Sequence, residues 1–251
     1  MTKKIVHVKH KTFETGKTNI AVPVTGTTQS EIINQATRAL KYQPDVLEWR
    51  IDYYQSILDH CDYLEIVKQL RPLLKETVLL TTFRTSHEGG VSQMIDTDYF
   101  AIYRWIVENN LTDMLDIELN RDKRSVDTLI SLAHHQNISI ILSNHNFQTT
   151  PSATDIFKTL HTMQKRNADI GKIAVMPRST ADVLTLLNAT EKANRELQIP
   201  LITMSMGDLG KISRISGPLL GSTLSFATVD KASAPGQLTV TAVRQILATL
   251  F

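Results

Sequence analysis

The sequence predicts an α/β fold of the (β/α)8 type, a TIM barrel in which eight parallel strands are surrounded by helices. Strand-like and helix-like segments alternate from end to end of the 251 residues, a pattern typical of parallel sheets. Eight strand-like segments recur about every thirty residues, and barrels of this length commonly form one unit. We therefore expect a single barrel domain over residues 1–251. An open doubly wound sheet is the alternative, but eight units without a second domain favour closure.

The individual elements follow from the spacing of apolar residues, which alternates in strands and repeats about every 3.6 residues in helices. The predicted strands are 20–25, 46–52, 78–84, 114–119, 138–144, 172–176, 201–205 and 223–227. The predicted helices are 30–42, 57–74, 98–109, 125–135, 153–164, 180–196 and 238–250. Residues 207–221 contain four glycines and a proline and lack a clear helical pattern. Residues 3–18 predict a hairpin that closes the bottom of the barrel.

Composition excludes several classes of protein. The formal charge is +2, and the basic residues are not bunched in runs, so a nucleic-acid partner is not expected. Cys61 is the only cysteine, which rules out an intrachain disulfide and favours a reducing compartment. The N-terminal segment lacks the apolar run of a signal peptide, and no apolar stretch approaches the length of a membrane span. We expect a cytoplasmic protein that does not bind membranes.

Charged residues share one face of the predicted strands. In the second strand Glu48, Arg50 and Asp52 alternate with apolar residues, and in the fourth strand Asp116 and Glu118 do the same. In a barrel, outward residues pack on the helices and inward residues fill the lumen. A half-solvated antiparallel sheet would alternate in the same way, but the intervening helices require parallel strands. The pattern therefore predicts a polar active site inside the barrel.

Lys172 is the strongest candidate for chemistry. It shares a strand with Ile173 and Val175 but faces the opposite way, and burying its ammonium is costly unless it is paired or neutralised. A lysine in such a place can attack a carbonyl to form a Schiff base. An edge-strand lysine with a solvated head group is the alternative. Lumen arginines are expected to repel the ammonium and favour the neutral amine.

Other candidates lie where predicted strands end, the position of catalytic groups in barrels. His145 suits proton transfer near neutral pH, although an isolated histidine is more often structural. Arg84 is suited to holding a carboxylate or hydroxyl, and Glu88 to orienting a histidine. Residues 231–237 form a possible lid, in which Ser233 and Gln237 are able to donate hydrogen bonds; a plain connecting loop is the alternative.

A metal site is not expected. Four lumen carboxylates are chemically suited to Mg²⁺, as in enolase-type barrels, but interleaved arginine and lysine residues neutralise them. The histidines show no metal-ligand spacing with Cys61 or with one another. No dinucleotide or phosphate-loop motif is present. The prediction is a site without metal or cofactor.

Several of these segments together resemble the type I 3-dehydroquinate dehydratases, the Schiff-base dehydroquinases of the shikimate pathway. The matching stretches span nearly the whole chain in the family's order: 47–52, 82–84, 88–90, 116–119, 143–147, 172–177, 203–207 and 231–237. The resemblance implies a metal-free (β/α)8 barrel, usually a homodimer. It also implies the small-molecule substrate 3-dehydroquinate, which such enzymes convert to 3-dehydroshikimate and water.

The resemblance also implies a role for individual residues. Lys172 would be the Schiff-base nucleophile, His145 the general acid and base, and Glu88 the group that orients this histidine. The implied substrate-binding residues are Glu48, Arg50, Arg84, Arg214, Ser233 and Gln237. The chain departs from the family pattern at Pro23, where some members carry a polar residue, and in the variable stretch 207–210 that precedes Arg214.

Two other functions fit parts of the pattern. A Schiff-base aldolase or transaldolase would be expected to carry a phosphate-binding glycine loop after the seventh or eighth strand, and Gly221 followed by Ser222 is a poor match. A catalytically inactive barrel used as a scaffold would leave the lysine, histidine and arginine set of the lumen unexplained. Dehydration of 3-dehydroquinate is therefore the favoured prediction.

Overall fold

The computed structural model describes residues 4–229 and 233–251. The strands are β1 Val6–Val8, β2 Lys11–Phe13, β3 Asn19–Val24, β4 Val46–Arg50, β5 Val78–Thr82, β6 Met114–Glu118, β7 Ser139–Asn146, β8 Ile170–Val175, β9 Leu201–Ser205 and β10 Leu224–Phe226. The α-helices are α1 Gln29–Leu40, α2 His60–Leu74, α3 Asp96–Glu108, α4 Lys123–His135, α5 Ala153–Lys165, α6 Thr180–Glu196, α7 Gly217–Leu220 and α8 Val240–Leu250. Short 3₁₀ helices span Ile51–Tyr53, Ser86–Glu88 and Leu209–Arg214.

Eight of these strands form one parallel sheet in the order β10-β3-β4-β5-β6-β7-β8-β9. The two ends of the sheet meet just before β10, where Leu201 bridges Ser222 and accepts a hydrogen bond of 2.8 Å from the backbone N–H of Thr223. Helices alternate with the strands around the outside. The predicted (β/α)8 barrel is thereby confirmed, with most element ends shifted by only one or two residues.

The N-terminal hairpin covers the lower end of the barrel, as predicted from residues 3–18, of which residue 3 lies outside the described residues. β1 and β2 pair antiparallel, with Val6 opposite Phe13. Their buried side chains pack against a cluster of apolar residues in the lower lumen: Ala21, Val46, Val78, Leu80, Met114, Ile141, Ile170, Ile202 and Leu224. The lower half of the lumen is therefore a packed apolar core, and only the upper half is polar.

Three aspartates join this hairpin segment to the barrel. Each stands directly before a strand, accepts the backbone N–H near the beginning of the preceding strand, and forms an ion pair with a lysine of the N-terminal segment. The ion pairs are Asp45 with Lys11 at 2.6 Å, Asp113 with Lys9 at 3.0 Å, and Asp169 with Lys4 at 2.5 Å. The N–H donors are Ile20, Leu79 and Ile140, at 2.9, 2.7 and 2.8 Å. The same device thus recurs at three places around the lower end of the barrel.

The outward faces of the strands pack on the helices, as the alternation predicted. Trp49, Ile117 and Ile173 are completely or almost completely buried in this outer layer. Ser179 begins α6 with a capping box, which satisfies otherwise unpaired N–H groups. Within the part of the chain that the structure describes, no helix has the length and apolar character needed to cross a membrane.

The segment 207–221 forms one 3₁₀ helix and the four-residue α7 in place of a full barrel helix. Gly207 and Gly221 adopt φ angles of 69° and 102°, in the left-handed region that ends helices and favours glycine. This break lets the chain place Arg214 at the upper end of the barrel.

We expect Phe13→Ala to destabilise the protein strongly, because Phe13 is fully buried between the hairpin and the lower lumen. Removing such a side chain costs about 3–5 kcal/mol, which corresponds to a fall in Tm of roughly 10 °C for a chain of this size. Leu58→Ala is the control, since Leu58 is 66% exposed. Urea denaturation of both variants gives the comparison; equal midpoints would contradict the proposed role of the hairpin.

Candidate active site

A cavity of about 200 Å³ opens at the carboxyl ends of the barrel strands. Its lining includes all nine residues that the sequence and the resemblance single out: Glu48, Arg50, Arg84, Glu88, His145, Lys172, Arg214, Ser233 and Gln237. Lys231 and Ala232, at the start of the predicted lid, lie outside the described residues. The structure therefore brings the predicted site residues together in one place; their individual roles stay predictions.

Lys172 lies on β8 with its side chain 4% exposed. Its Nζ is 2.8 Å from Oδ2 of Asp116 and 3.9 Å from Oε1 of Glu48. The ring of Phe226 lies on another side, with its centroid 4.4 Å from Nζ. Carboxylates are thus the nearest charged groups to the amine. The expectation that nearby arginines favour the neutral amine stays a prediction.

Asp116 is held in place by three neighbours. Its Oδ1 accepts hydrogen bonds from Nη2 of Arg84 at 2.6 Å and from Oγ of Ser143 at 2.5 Å, while Oδ2 faces Lys172. Burial alone would raise the pKa of Asp116, but attraction from Arg84 and Lys172 holds it well below its usual range. Asp116 is therefore an ionised carboxylate fixed beneath the cavity.

Arg84 connects several acidic groups at once. Besides Asp116, its Nη1 lies 3.2 Å from Oε1 of Glu118, 3.4 Å from Oε2 of Glu88 and 2.9 Å from Oγ of Ser143. Burial opposes its charge, yet these carboxylates raise the pKa of Arg84 well above the ordinary value. Most of its donors are already used within the protein, so Arg84 organises the buried charges beneath the cavity.

His145 lies near the end of β7 and contacts Glu88. Oε2 of Glu88 lies 2.9 Å from Nδ1 of the imidazole and accepts the backbone N–H of His145 at 3.1 Å. With Oε2 acting as acceptor, Nδ1 carries the hydrogen and Nε2 keeps a free lone pair. The 3₁₀ helix Ser86–Glu88 and the following glycines bring Glu88 to this position.

The same burial has opposite effects on these two groups. Burial raises the pKa of Glu88 to about 8, against the attraction of Arg84. Burial, together with repulsion from Arg84 and Lys172, lowers the pKa of His145 well below its ordinary value. The imidazole is therefore neutral at physiological pH and able to accept a proton.

The glycines after Glu88 are needed for close packing. A Cβ on Gly89 would lie 2.2 Å from the ring of Phe147, and a Cβ on Gly90 would lie 1.8 Å from the carbonyl oxygen of Arg84. Gly89 also has φ of 82°, which favours glycine. These glycines allow the loop to fold over the strand end.

Arg50 has a carboxylate partner, whereas Arg214 has none among the described residues. Arg50 donates two hydrogen bonds of 2.8 Å to Asp52; burial opposes its charge, but Asp52 raises its pKa overall. Arg214 has no carboxylate partner among the described residues, and burial lowers its pKa to about 10. Arg214 is therefore the cavity cation best placed to attract an external anion.

The residues after β10 cover one side of the cavity. Nη2 of Arg214 donates to the carbonyl oxygen of Pro235 at 2.9 Å. The side-chain amide of Gln237 bonds Ser233 at both its backbone N–H and its hydroxyl, at 2.9 and 3.1 Å. Gly236 packs so closely that a Cβ would lie 2.2 Å from the carbonyl oxygen of Gly207. The segment thus rests directly on Arg214 and Gly207.

Asp116 is the contact of Lys172 that the predicted site lacked. The sequence placed it on the lumen face and considered it only as a possible Mg²⁺ ligand. The pairing of the strands accounts for this contact, since Ser143 on β7 is paired with both Lys172 on β8 and Glu118 on β6. Asp116 lies two residues before Glu118 on the same face of β6. Over the described ranges, no group of three or more metal-ligating side chains is arranged to hold an ion.

Comparisons with known proteins identify the family. The family model described as type I 3-dehydroquinase matches residues 20–251. A 3-dehydroquinate dehydratase of Lactiplantibacillus plantarum is 44% identical over 245 residues, covering 97% of each chain. One of Enterococcus faecalis is 44% identical over 247 residues, covering 98% of each.

Solved structures agree with this result. The type I enzyme of Clostridium difficile, solved with covalently modified comenic acid, is 35% identical with a TM-score of 0.96, covering 99% of this chain and 98% of that one. The Enterococcus faecalis structure is 41% identical with a TM-score of 0.91, covering 98% and 99%. Because the family model and these relatives match nearly the whole chain, the chain belongs to the type I 3-dehydroquinase family.

Proposed function

We propose that this chain removes water from 3-dehydroquinate, giving 3-dehydroshikimate, through a Schiff base on Lys172. The activity follows from the family: the chain is a hydro-lyase of the shikimate pathway, and a Schiff-base mechanism is typical of type I enzymes. The observation that carries the residue assignment is that, among the described residues lining the cavity, one buried lysine amine is accompanied by a neutral histidine.

The first step requires an uncharged amine. The Lys172 ammonium, paired with Asp116, gives up a proton as the substrate enters, and the neutral imidazole of His145 is the base available in the cavity. The amine lone pair then adds to the substrate ketone to give a carbinolamine. The imidazolium of His145 returns its proton to the carbinolamine hydroxyl, which leaves as water and gives a protonated imine. This cation withdraws electrons and makes the adjacent C2 proton acidic.

His145 carries out the later proton transfers. Its free Nε2 removes the C2 proton, and the resulting imidazolium returns a proton to the departing C1 hydroxyl, which leaves as water in a syn elimination. Hydrolysis of the imine releases the product, with His145 again moving the proton. Glu88 keeps the imidazole in the required tautomer through its contact with Nδ1.

The remaining residues hold the substrate. Arg214 is suited to the substrate carboxylate because no described carboxylate neutralises it, and a guanidinium binds such an anion strongly. Arg50 and Glu48 are placed to bind hydroxyl groups. Ser233 and Gln237 would then turn their mutual hydrogen bonds toward the substrate. Arg84 supports the site from below.

We further propose that the chain is a single barrel domain, residues 1–251, which assembles as a homodimer and works in the cytoplasm without metal or cofactor. The family resemblance supports the domain, the dimer and the cofactor-free reaction. The free cysteine supports the location, because Cys61 is exposed and unpaired, as is usual in reducing compartments.

Lys172→Ala should abolish the covalent adduct and reduce turnover on the order of 10⁴–10⁶-fold, the range seen when a nucleophile is removed. The measurement is intact mass after treatment with 3-dehydroquinate and sodium borohydride, followed by peptide mapping. Lys68→Ala is the control, since Lys68 is exposed and pairs with Glu65 on α2. Wild-type protein that turns over without a reducible adduct on Lys172 would exclude the Schiff base.

His145→Ala should still form the adduct but release it about 10²–10⁴-fold more slowly, the usual contribution of a general acid or base. Because the pKa of His145 is lowered, the wild-type imidazole stays neutral until the pH falls well below its ordinary range. The acid limb of kcat should therefore lie below the pKa of an ordinary histidine and vanish in the variant. His161→Ala, on α5, is the control; normal turnover of His145→Ala would remove this residue from the mechanism.

Arg214→Ala should raise KM about 10–100-fold with a smaller effect on kcat, because a hydrogen bond to a charged group contributes about 1.5–3 kcal/mol. Steady-state kinetics with 3-dehydroquinate measure both constants. Arg195→Ala is the matched control, since Arg195 is exposed and pairs with Glu191. An unchanged KM would assign the substrate carboxylate to another cation.

A further inference from the structure

We infer that Asp116 is the counter-ion of the protonated imine on Lys172 and holds its charge through the reaction. The inference rests on the proposed Schiff-base function. It adds a residue that contacts the reacting nitrogen and to which neither the sequence nor the resemblance assigned a role.

The charge balance of imine formation carries the first part of the inference. An ammonium and a ketone together give a protonated imine and one water, so a single positive charge remains on the same nitrogen. Two N–H bonds are lost, their hydrogens leave with the ketone oxygen as water, and the third N–H remains. The anion that pairs with the lysine before the reaction is thus already placed to pair with the imine.

The geometry carries the second part. Oδ2 of Asp116 lies 2.8 Å from Nζ, and the side chain is completely buried. Its other oxygen is fixed by Arg84 and Ser143, so the carboxylate cannot swing away when the substrate binds. A buried, preorganised anion stabilises a nearby cation far more than a solvated one does.

Other groups around the amine are less suited to this role. Glu48, on β4, is 3.9 Å from Nζ and also accepts a hydrogen bond from Thr82. Arg84, which follows β5, and His145 on β7 cannot balance a positive charge, nor can Arg50 or Arg214. Phe226, on β10, offers only the face of its ring. Among the described residues, Asp116 is therefore the anion in direct contact with the nitrogen.

The test measures how much of the imine remains protonated as the pH rises. Sodium cyanoborohydride reduces the protonated imine and not the neutral one, so the yield of reduced Lys172 adduct with 3-dehydroquinate reports this state. Removing an opposite charge at this distance shifts a titration by about one to three pH units. In Asp116→Asn, the pH at which trapping falls to half should move down by that amount.

Two further variants separate this role from general damage. Glu118→Gln removes a carboxylate from the same Arg84 cluster but not from contact with Lys172, so its trapping midpoint should stay close to that of the wild type. Ser143→Ala loosens Asp116 while keeping its charge, and should shift the midpoint in the same direction by less. If Asp116→Asn fails to fold by circular dichroism, Ser143→Ala decides the question.

The possible outcomes are distinct. If the wild type gives no reduced adduct on Lys172, the proposed Schiff-base function fails. If the wild type is trapped but Asp116→Asn keeps its midpoint, only the counter-ion role is overturned. A shift in Glu48→Gln without one in Asp116→Asn would assign the charge to Glu48 instead. Equal shifts of the trapping midpoint in Asp116→Asn and Glu118→Gln would also overturn the counter-ion role, because such shifts would reflect the total charge of the cluster.

Discussion

The ion pair between Arg84 and Asp116 is the interaction on which the polar half of this barrel depends. Both side chains are almost fully buried, and their closest atoms are 2.6 Å apart. A single buried charge costs several kcal/mol unless it is paired. Here the charges alternate: Lys172 contacts Asp116, Asp116 contacts Arg84, and Arg84 contacts Glu118. Each member satisfies its neighbours, so removing any one would leave an uncompensated charge inside the protein.

The cost of this polar layer is balanced by the other half of the barrel. Below it the lumen is filled by apolar side chains and closed by Phe13 of the hairpin. The aspartates before β4, β6 and β8 combine a backbone hydrogen bond with a lysine ion pair, and therefore join neighbouring strands as well as the hairpin. Stability is concentrated at the end of the barrel away from the cavity, as is typical of this fold.

The sequence predicted the faces of the strands well because alternation is a local property of the backbone. It did not predict how far along the barrel axis each lumen residue lies. Val46 shares a face with Glu48, Met114 with Asp116, and Ile170 with Lys172, so the change from apolar to polar along each strand already marked the lower and upper halves of the lumen. Alternation on its own defines the face on which a residue lies and not its height in the lumen.

The partner of each charged side chain was harder to predict than the face of the strand on which it lies. Partners depend on the register between strands and on the length of the side chains. Arg50 lies at the end of β4, and the 3₁₀ turn that follows brings Asp52 back to its guanidinium. Arg84 reaches down to carboxylates that come from β6. Neither contact is visible in the spacing of residues along one strand. Arg50 on β4 and Arg84 after β5 each already have a carboxylate partner, and the expected effect of the arginines on Lys172 stays a prediction.

These pairings also explain how one cavity keeps three ionisable groups in different states. Asp116 is bordered by two cations, which lower its pKa and keep it ionised. Burial lowers the pKa of His145, and repulsion from Arg84 and Lys172 lowers it further, so the imidazole stays neutral. For Glu88, the effect of burial outweighs the attraction of Arg84, and its pKa rises. A reaction that keeps one positive charge on the Lys172 nitrogen while protons move through His145 needs this division, with a permanent anion at the amine and an uncharged base across the cavity. The two cations that keep Asp116 ionised thus also add to the effect of burial that keeps His145 uncharged.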